Sequence, residues 1–348
     1  MADQAITADG GSSFSTDPTL LTDEGAPPGV GPWKLAGRRL RRDKGALAFG
    51  TLFLVLCAMC LAAPIWANDV AHRSPTATPS SSDTVEENGK QVFVLGLDGR
   101  PIGPTWRGEY FLGADGNGRD VMVRLLYGGR NSLQIGIVAA ILTTIMGVFF
   151  GVLAGFFRRW IDAVISALMD VLWAFPVILL GVALGTALAL GGLKLGPITI
   201  QSGSLAIPIF VIAIVYVPYL ARPVRGAVLA LREKEFVEAS RAQGMGNTRI
   251  MFSEIMPNLL STVVVFFPLL VANAILLEAA LSFLGAGVQA PEPSWGTMIN
   301  EGVERIITAP HLALVPGIML VLTVLSLNIF GDGVRDALDP RAKVRLEH

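Results

Sequence analysis

Charge is scarce in this chain: Lys, Arg, Asp and Glu together make up 16% of its 348 residues, against about 25% in a soluble globular domain. That shortage, with 52% hydrophobic residues and a mean hydropathy of +0.57, points to a lipid environment. A basic excess is missing as well. The 27 Lys and Arg against 28 Asp and Glu give a formal net charge of −1, which excludes the electrostatic footprint of a nucleic-acid-binding protein. Cysteine is limited to Cys57 and Cys60, inside an apolar run with no histidine nearby, so they read as packing or lipid-facing residues and not as a zinc or redox site. His72, His311 and His348 are scattered, and neither H-E-x-x-H nor G-x-S-x-G occurs, so no catalytic or metal set is visible. No stretch fits G-x-x-x-x-G-K-[ST]; ATP-driven work would require another subunit. The glycine-rich run Gly113 to Arg119 lacks G-x-G-x-x-G spacing, carries Arg119 at an acidic calcium-ligand position, and has Leu126 where an EF-hand places its bidentate Glu.

Long apolar runs are what the chain does have. A hydrocarbon core about 30 Å thick takes about 20 helical residues, and six runs qualify: Gly45 to Asn68, Asn131 to Phe157, Val171 to Leu193, Leu195 to Ala221, Ile255 to Leu277 and Ile306 to Gly331. The fold expected is an all-α polytopic membrane protein of six transmembrane helices with a small extracytoplasmic β-hairpin insert. Lys34, Arg38, Arg39, Arg41, Arg42 and Lys44 precede the first run, and further basic residues cluster at Arg158 and Arg159, Arg222 to Arg249, and Arg335 to Arg345. Because Lys and Arg are retained inside, both termini are expected in the cytoplasm. The first run exceeds a signal-peptide h-region and reads as an uncleaved anchor. Asp162, Asp170 and Glu278 lie near run ends, where solvation or interface pairing is expected, and so sparse an intramembrane charge disfavours an ion-coupled carrier.

The segmentation expected is a disordered cytoplasmic tail at 1–44, the first span at 45–68, an extracytoplasmic segment at 69–130, a transmembrane core at 131–333 and a cytoplasmic tail at 334–348. Residues 69–90 carry Pro75, Pro79 and a serine run and read as structureless. Gln91 to Leu97 is apolar and leads into Asp98-Gly99, a two-residue hairpin signal. Val92, Phe93, Leu95 and Trp106 are costly to leave in water and are candidate contacts for an outer-face partner. Pro176, Pro208, Pro218, Pro268 and Pro316 punctuate the later runs and are expected to bend their helices.

Residues 222–258 form a charged, helix-forming stretch between two apolar runs. Glu233 to Gln243 holds strong helix formers, with Phe236, Val237 and Ala239 as an apolar face; Gly244 is placed to end that helix with φ > 0. Asn247 or Thr248 would cap a second helix, and Pro257 would break the chain before the fifth run.

Glu238-Ala239-Ser240-x-x-x-Gly244, with Pro257 thirteen residues on, resembles the EAA loop of permease subunits of bacterial ABC importers. Phe111 to Asp115, Gly118 to Val121, Arg124 to Arg130, Ala280 to Gly285, Pro293 to Gly296 and Gly331 to Arg341 are similar to stretches of the second, "C"-type permease of the oligopeptide and dipeptide subfamily. The resemblance covers about 35–343 apart from 69–109. It departs at Ser240, which replaces an alanine, at Glu254, which stands where a branched apolar residue is usual, and at Met256, which replaces a leucine. It implies a pore-forming subunit, itself no enzyme, that takes up oligopeptides or dipeptides through the cell membrane by alternating access. The implied partners are a second homologous permease, two ATPase subunits that bind ATP and Mg, and an extracytoplasmic solute-binding protein. Phe236, Glu238, Ala239, Ser240, Gly244 and Met245 would form the helix that docks on an ATPase. The alternatives are import of nickel or another small solute, a secondary carrier, or a structural scaffold.

The charge asymmetry yields the first test. Single cysteines in a background lacking Cys57 and Cys60 are expected to react with an impermeant reagent at Ser81 and Gly192 and to stay protected at Lys234 and Lys343 in intact cells; strong labelling at 234 would overturn the six-span topology.

Overall fold

The computed structural model describes residues 32–79, 83–87, 90–96, 99–195 and 198–339. In chain order its elements are α1 (Pro32–Leu40), α2 (Lys44–Leu61), α3 (Ala63–Ile65) with a π-helical turn (Trp66–Val70), β1 (Thr84–Glu87), β2 (Lys90–Phe93), α4 (Val121–Phe157), α5 (Arg159–Ala174), α6 (Val177–Gly191), β3 (Leu193–Leu195), β4 (Ile198–Ile200), α7 (Ala206–Leu231), α8 (Glu235–Ala242), α9 (Asn247–Ile250) with a π turn (Met251–Ile255), α10 (Met256–Phe283), α11 (Trp295–Val303) and α12 (His311–Leu338). Among the described residues five helices are long and apolar enough to cross a membrane, and the bent pair α5 and α6, taken as one span, raises the number to six.

The centre of the bundle is α4, 37 residues and so about 55 Å long. It packs most extensively on α7, and its glycines explain why. Gly147, Gly151 and Gly155 recur every fourth residue along one face; a Cβ at Gly151 would stand 2.7 Å from the Ala221 carbonyl oxygen, and one at Gly155 would stand 2.7 Å from Val228. Only hydrogen fits there, and the close backbone approach supplies the dispersion contact that holds helices together in lipid. Further along α4, Gly136 faces Ile275 of α10, and Gly129 lies beneath the fully buried Trp295 of α11. The Trp295 indole donates to the Leu125 carbonyl at 3.1 Å, and Asn131 donates to that of Pro293 at 2.8 Å. The two distant motifs Gly128-Gly129 and Pro293-Ser294-Trp295-Gly296 are thus halves of one contact.

Several expectations are corrected. The third run is broken: α5 and α6 meet at 91° around Phe175-Pro176. Neither, at about 24 and 22 Å by rise per residue, spans the core alone. The fourth helix begins at Ala206 after the short β3–β4 pair and does not stop at Ala221 but runs to Leu231, with Pro218 and Pro223 inside it. The 222–258 loop is shorter by those ten residues. Pro208 falls in the first turn of α7, where no intrahelical N–H is lost. Pro257 does not break the chain either. Asn247–Phe283 is one continuous span, and the π turn just before Pro257 widens the helix where the proline ring would otherwise crowd the preceding carbonyls. The 1–44 tail contains α1, which lies against α12 with Arg39 donating to the Asp339 carbonyl at 2.9 Å. The final helix extends through Leu338, into the segment expected as a tail.

Residues 69–90 are not structureless: Thr84–Glu87 pairs antiparallel with Lys90–Phe93, setting Val85 opposite Val92. The chain then folds back a second time, as Leu95 bridges to Pro101 and the Ile102 amide donates to the Val94 carbonyl at 2.9 Å. Asp98 lies outside the described residues.

Gly151→Val puts a branched side chain against the Ala221 carbonyl and is expected to cost about 1–3 kcal/mol by overpacking. Gly226→Ala, whose added methyl meets nothing within 4 Å, serves as control. Thermal unfolding of the detergent-purified chain is expected to show a lowered Tm for the first variant only.

Candidate functional site

Two places gather the residues singled out by sequence: the corner around α8, and the insert at the opposite end of α4. The α8 corner is built by its C-cap. The Gly244 amide donates to the Arg241 carbonyl at 2.9 Å and the Met245 amide to that of Ser240 at 3.1 Å, with Gly244 at φ +80°, which is the Schellman arrangement. Gly246 then occupies the N-cap of α9 with no side-chain cap bond, so neither Asn247 nor Thr248 performs that role. The inward face of α8 consists of Val237 and Ser240, three apart, and not of Phe236, Val237 and Ala239. Val237 packs into the same core as Ile250, Ile255 and Leu259, and Met245 is half-buried against it. Ser240 meets its burial by donating to the Phe236 carbonyl one turn back at 2.9 Å, which is how a serine replaces alanine there without an orphaned hydroxyl. Phe236, Glu238, Ala239 and Gly244 face outward. Glu254 sits in the π turn, partly exposed and accepting from Ser253 at 3.1 Å, outside the packed face.

The sequence reading missed the ties between this corner and the bundle. Arg232 donates to the Phe156 carbonyl at 2.6 Å, and Arg158 pairs with Glu233 at 2.9 Å, both joining the end of α4 to the α7–α8 junction. On the extended part of α7, Arg225 grips both oxygens of Asp162, one of them at 2.7 Å, and Arg222 pairs with Asp170 at 2.7 Å while lying 4.4 Å over the Trp173 ring. The interface pairing expected of Asp162 and Asp170 is therefore found. Two acids on one run and two arginines at the end of the next were the available signal. Glu278 differs: α10 continues to Phe283, and the carboxyl is fully buried, accepting from Ser282 at 2.7 Å, with Ser132 and Ser294 also against it.

At the insert end, Val94, Ile102, Tyr110 and Ala114 form a small core with Val85 and Val92 beside it. Of the four outer-face candidates, Val92 and Leu95 are partly buried, whereas Phe93 is 47% and Trp106 67% exposed. Burial pushes the Tyr110 phenol up to about 12, so it remains a donor to the Gly118 carbonyl at 3.1 Å. Asp120 caps α4 by accepting from Val123 at 3.0 Å and also accepts from the Tyr110 amide at 2.7 Å; burial raises its carboxyl pKa against the pull of those bonds. The glycine-rich run holds no ligand cradle. Asp115 is filled by the Asn117 and Arg119 amides and the Arg119 and Arg124 guanidiniums, and both arginines reach on to Glu301 of α11, at 2.7 and 3.0 Å. Among the described residues no group of three or more His, Cys, Asp or Glu is arranged to hold a metal.

A helical bundle of this topology is shared with a solved ABC transporter. The inward-facing MetNI methionine ABC transporter superposes with a TM-score of 0.51, covering 63% of this chain and 97% of the other at 21% identity, a likeness of fold. Residues 147–344 match the binding-protein-dependent transport system inner membrane component, and residues 31–81 match the N-terminal TM domain of oligopeptide transport permease C. The chain is 38% identical over 332 residues to the dipeptide transport system permease protein DppC of Alkalihalophilus pseudofirmus, covering 94% of this chain and 97% of the relative. It is 35% identical over 312 residues to the glutathione transport system permease protein GsiD of Pectobacterium atrosepticum, covering 90% and 92%. The chain belongs to the family of binding-protein-dependent ABC importer permeases.

The buried ionic network gives the test for this end of the molecule. Arg119→Met with Arg124→Met strands Asp115 and Glu301 and is expected to cost about 3 kcal/mol, the order measured when the partner of a buried charge is removed. Limited proteolysis is expected to cut the variant faster within 99–120 than the parent; equal rates would show that the network does not hold the insert.

Proposed function

We propose that the chain is one of two permease subunits of a peptide importer, bearing no ATPase site of its own, and that α8 is the helix through which the ATPase subunits drive it. The observation that carries this reading is the α8 corner. A short helix is anchored inward by Val237 and Ser240 while Phe236, Glu238, Ala239 and Gly244 are turned outward at the end of two long spans. An exposed carboxylate flanked by small residues suits close docking into a groove with a basic or amide partner.

In this reading both termini and α8 are cytoplasmic. ATP and Mg are held by two partner ATPases, and an extracytoplasmic binding protein delivers the peptide, seating on the insert through the exposed Phe93 and Trp106. Each pore state is selected by its differential contacts with nucleotide-bound ATPases and with the loaded binding protein. The names of the dipeptide and glutathione permease relatives favour a short peptide cargo over nickel or another solute.

Gly244 discriminates conformation from contact. A side chain there meets nothing within 4 Å, so Gly244→Val is penalised by its positive φ alone, by about 1–3 kcal/mol, and Gly244→Asn less, since Asn tolerates that region. In the reconstituted complex, stimulated ATPase and uptake are expected to fall in the order Gly, Asn, Val, and Glu238→Ala is expected to weaken ATPase docking with the spans intact. Full uptake and stimulation in Gly244→Val and Glu238→Ala would refute the role of α8.

A further inference from the structure

Helix α5 is a rigid element between two abrupt corners. At its start, Arg158 and Arg159 both take positive φ, 55° and 53°, in a region that non-glycine residues seldom occupy. At its end the chain turns 91° into α6 around Phe175-Pro176. Between those corners α5 is lightly packed. Ile165 and Met169 meet Val217 and Ala221 of α7, yet beside them lies a half-open apolar groove of about 270 Å³, lined from α4 by Met146 and Phe150, from α7 by Ile214 and Val217, and from α5 by the exposed Leu168 and Val171. On the side of that groove no packed neighbour locks α5 in place.

What fixes α5 sideways is ionic. Asp162 and Asp170 stand eight residues apart on α5, and Arg225 and Arg222 three apart on α7, so the two pairs pin α5 at two separate points along its length. Their exposure is substantial, with side-chain values of 34% and 18% for Arg225–Asp162 and 41% and 71% for Arg222–Asp170. Pairs so exposed add little to stability. They do fix geometry, because the Arg225 fork meets the Asp162 carboxylate with two parallel bonds. The same α7 segment runs unbroken to Leu231, with three residues between it and the start of α8 at Glu235.

We propose that Asp162, Asp170, Arg222 and Arg225 are positioning residues that make α5 follow α7, so that displacement of α8 is delivered to the bent α5–α6 span. Without the pins, α7 moves past α5, which is free to stay behind on the side of the groove. The proposal rests on the reading of α8 as the ATPase-driven helix.

The test is charge exchange in the complete importer reconstituted in proteoliposomes, reading peptide uptake per ATP hydrolysed. Asp162→Arg and Arg225→Asp each are expected to lower that ratio at least tenfold, and the double exchange D162R/R225D to recover most of it. Arg222→Met with Arg225→Met, which removes both pins without burying a new charge, is expected to lower the ratio similarly while the assembled complex still elutes at its normal size. An unchanged ratio in the Met variant, or an exchange that fails to recover in assembled complex, would overturn the proposal. A failure of the α8 reading is distinguishable, because it would show as unchanged stimulated ATPase in Gly244→Val and Glu238→Ala, which leave the pins intact.

Discussion

The close approach of α4 and α7 is the constraint on which the rest of the structure depends. In lipid, apolar surface alone gives no preference for one helix neighbour over another, so the neighbour is chosen by how near two backbones come. Gly147, Gly151 and Gly155 let the α7 backbone reach van der Waals distance along three turns of α4. The ionic ties at the α8 end hang from that seam. Arg232 reaches the Phe156 carbonyl because α7 continues beside α4, and the same continuation sets Arg222 and Arg225 over α5. A looser seam would leave α8 held from the α9–α10 side alone, through Val237 against Ile250, Ile255 and Leu259.

At the insert end the same helix is held by polar means. Asp120 caps it, Arg124 joins Asp115 to Glu301, and Trp295 covers Gly129. Glu278 adds a buried hub. Ser282 donates to the carboxyl while its Oγ accepts from Val288, and Ser132 and Ser294 lie against the same group with their Oγ atoms accepting from Trp295 and Thr297. This gathers α4, α10 and the start of α11 around one group. The two ends differ in kind, with buried, interlocked polar groups around the insert and exposed ion pairs at the α8 end.

Legibility in the sequence followed the range of the interactions. The Gly244 corner was readable because a helix C-cap is decided within six residues, and the apolar runs were readable because lipid demands a fixed length. The break at Phe175-Pro176 was hidden inside an apolar run in which proline marks a bend and gives no angle. The extension of α7 through Arg222, Pro223 and Arg225 ran against local signals, since its charges are met by Asp162 and Asp170, some fifty to sixty positions earlier. Thr84–Glu87 has little apolar pattern of its own; its order comes from pairing with Lys90–Phe93 and from the core around Tyr110. The inward face of α8 was misassigned by one position because helical facing depends on where the helix is anchored, and the anchor is the distant core of Ile250, Ile255 and Leu259.

The central claim is that α8 and α7 move as one body and take α5 with them. Pulsed spin-label distances in the complete importer, with and without bound ATP, test it most directly. Labels at Ala242 and Ile214 report on α8 against α7, and labels at Val164 and Leu260 on α5 against α10. The account predicts an unchanged first distance and a second that shifts on ATP binding. A first distance that shifts while the second stays constant would contradict it.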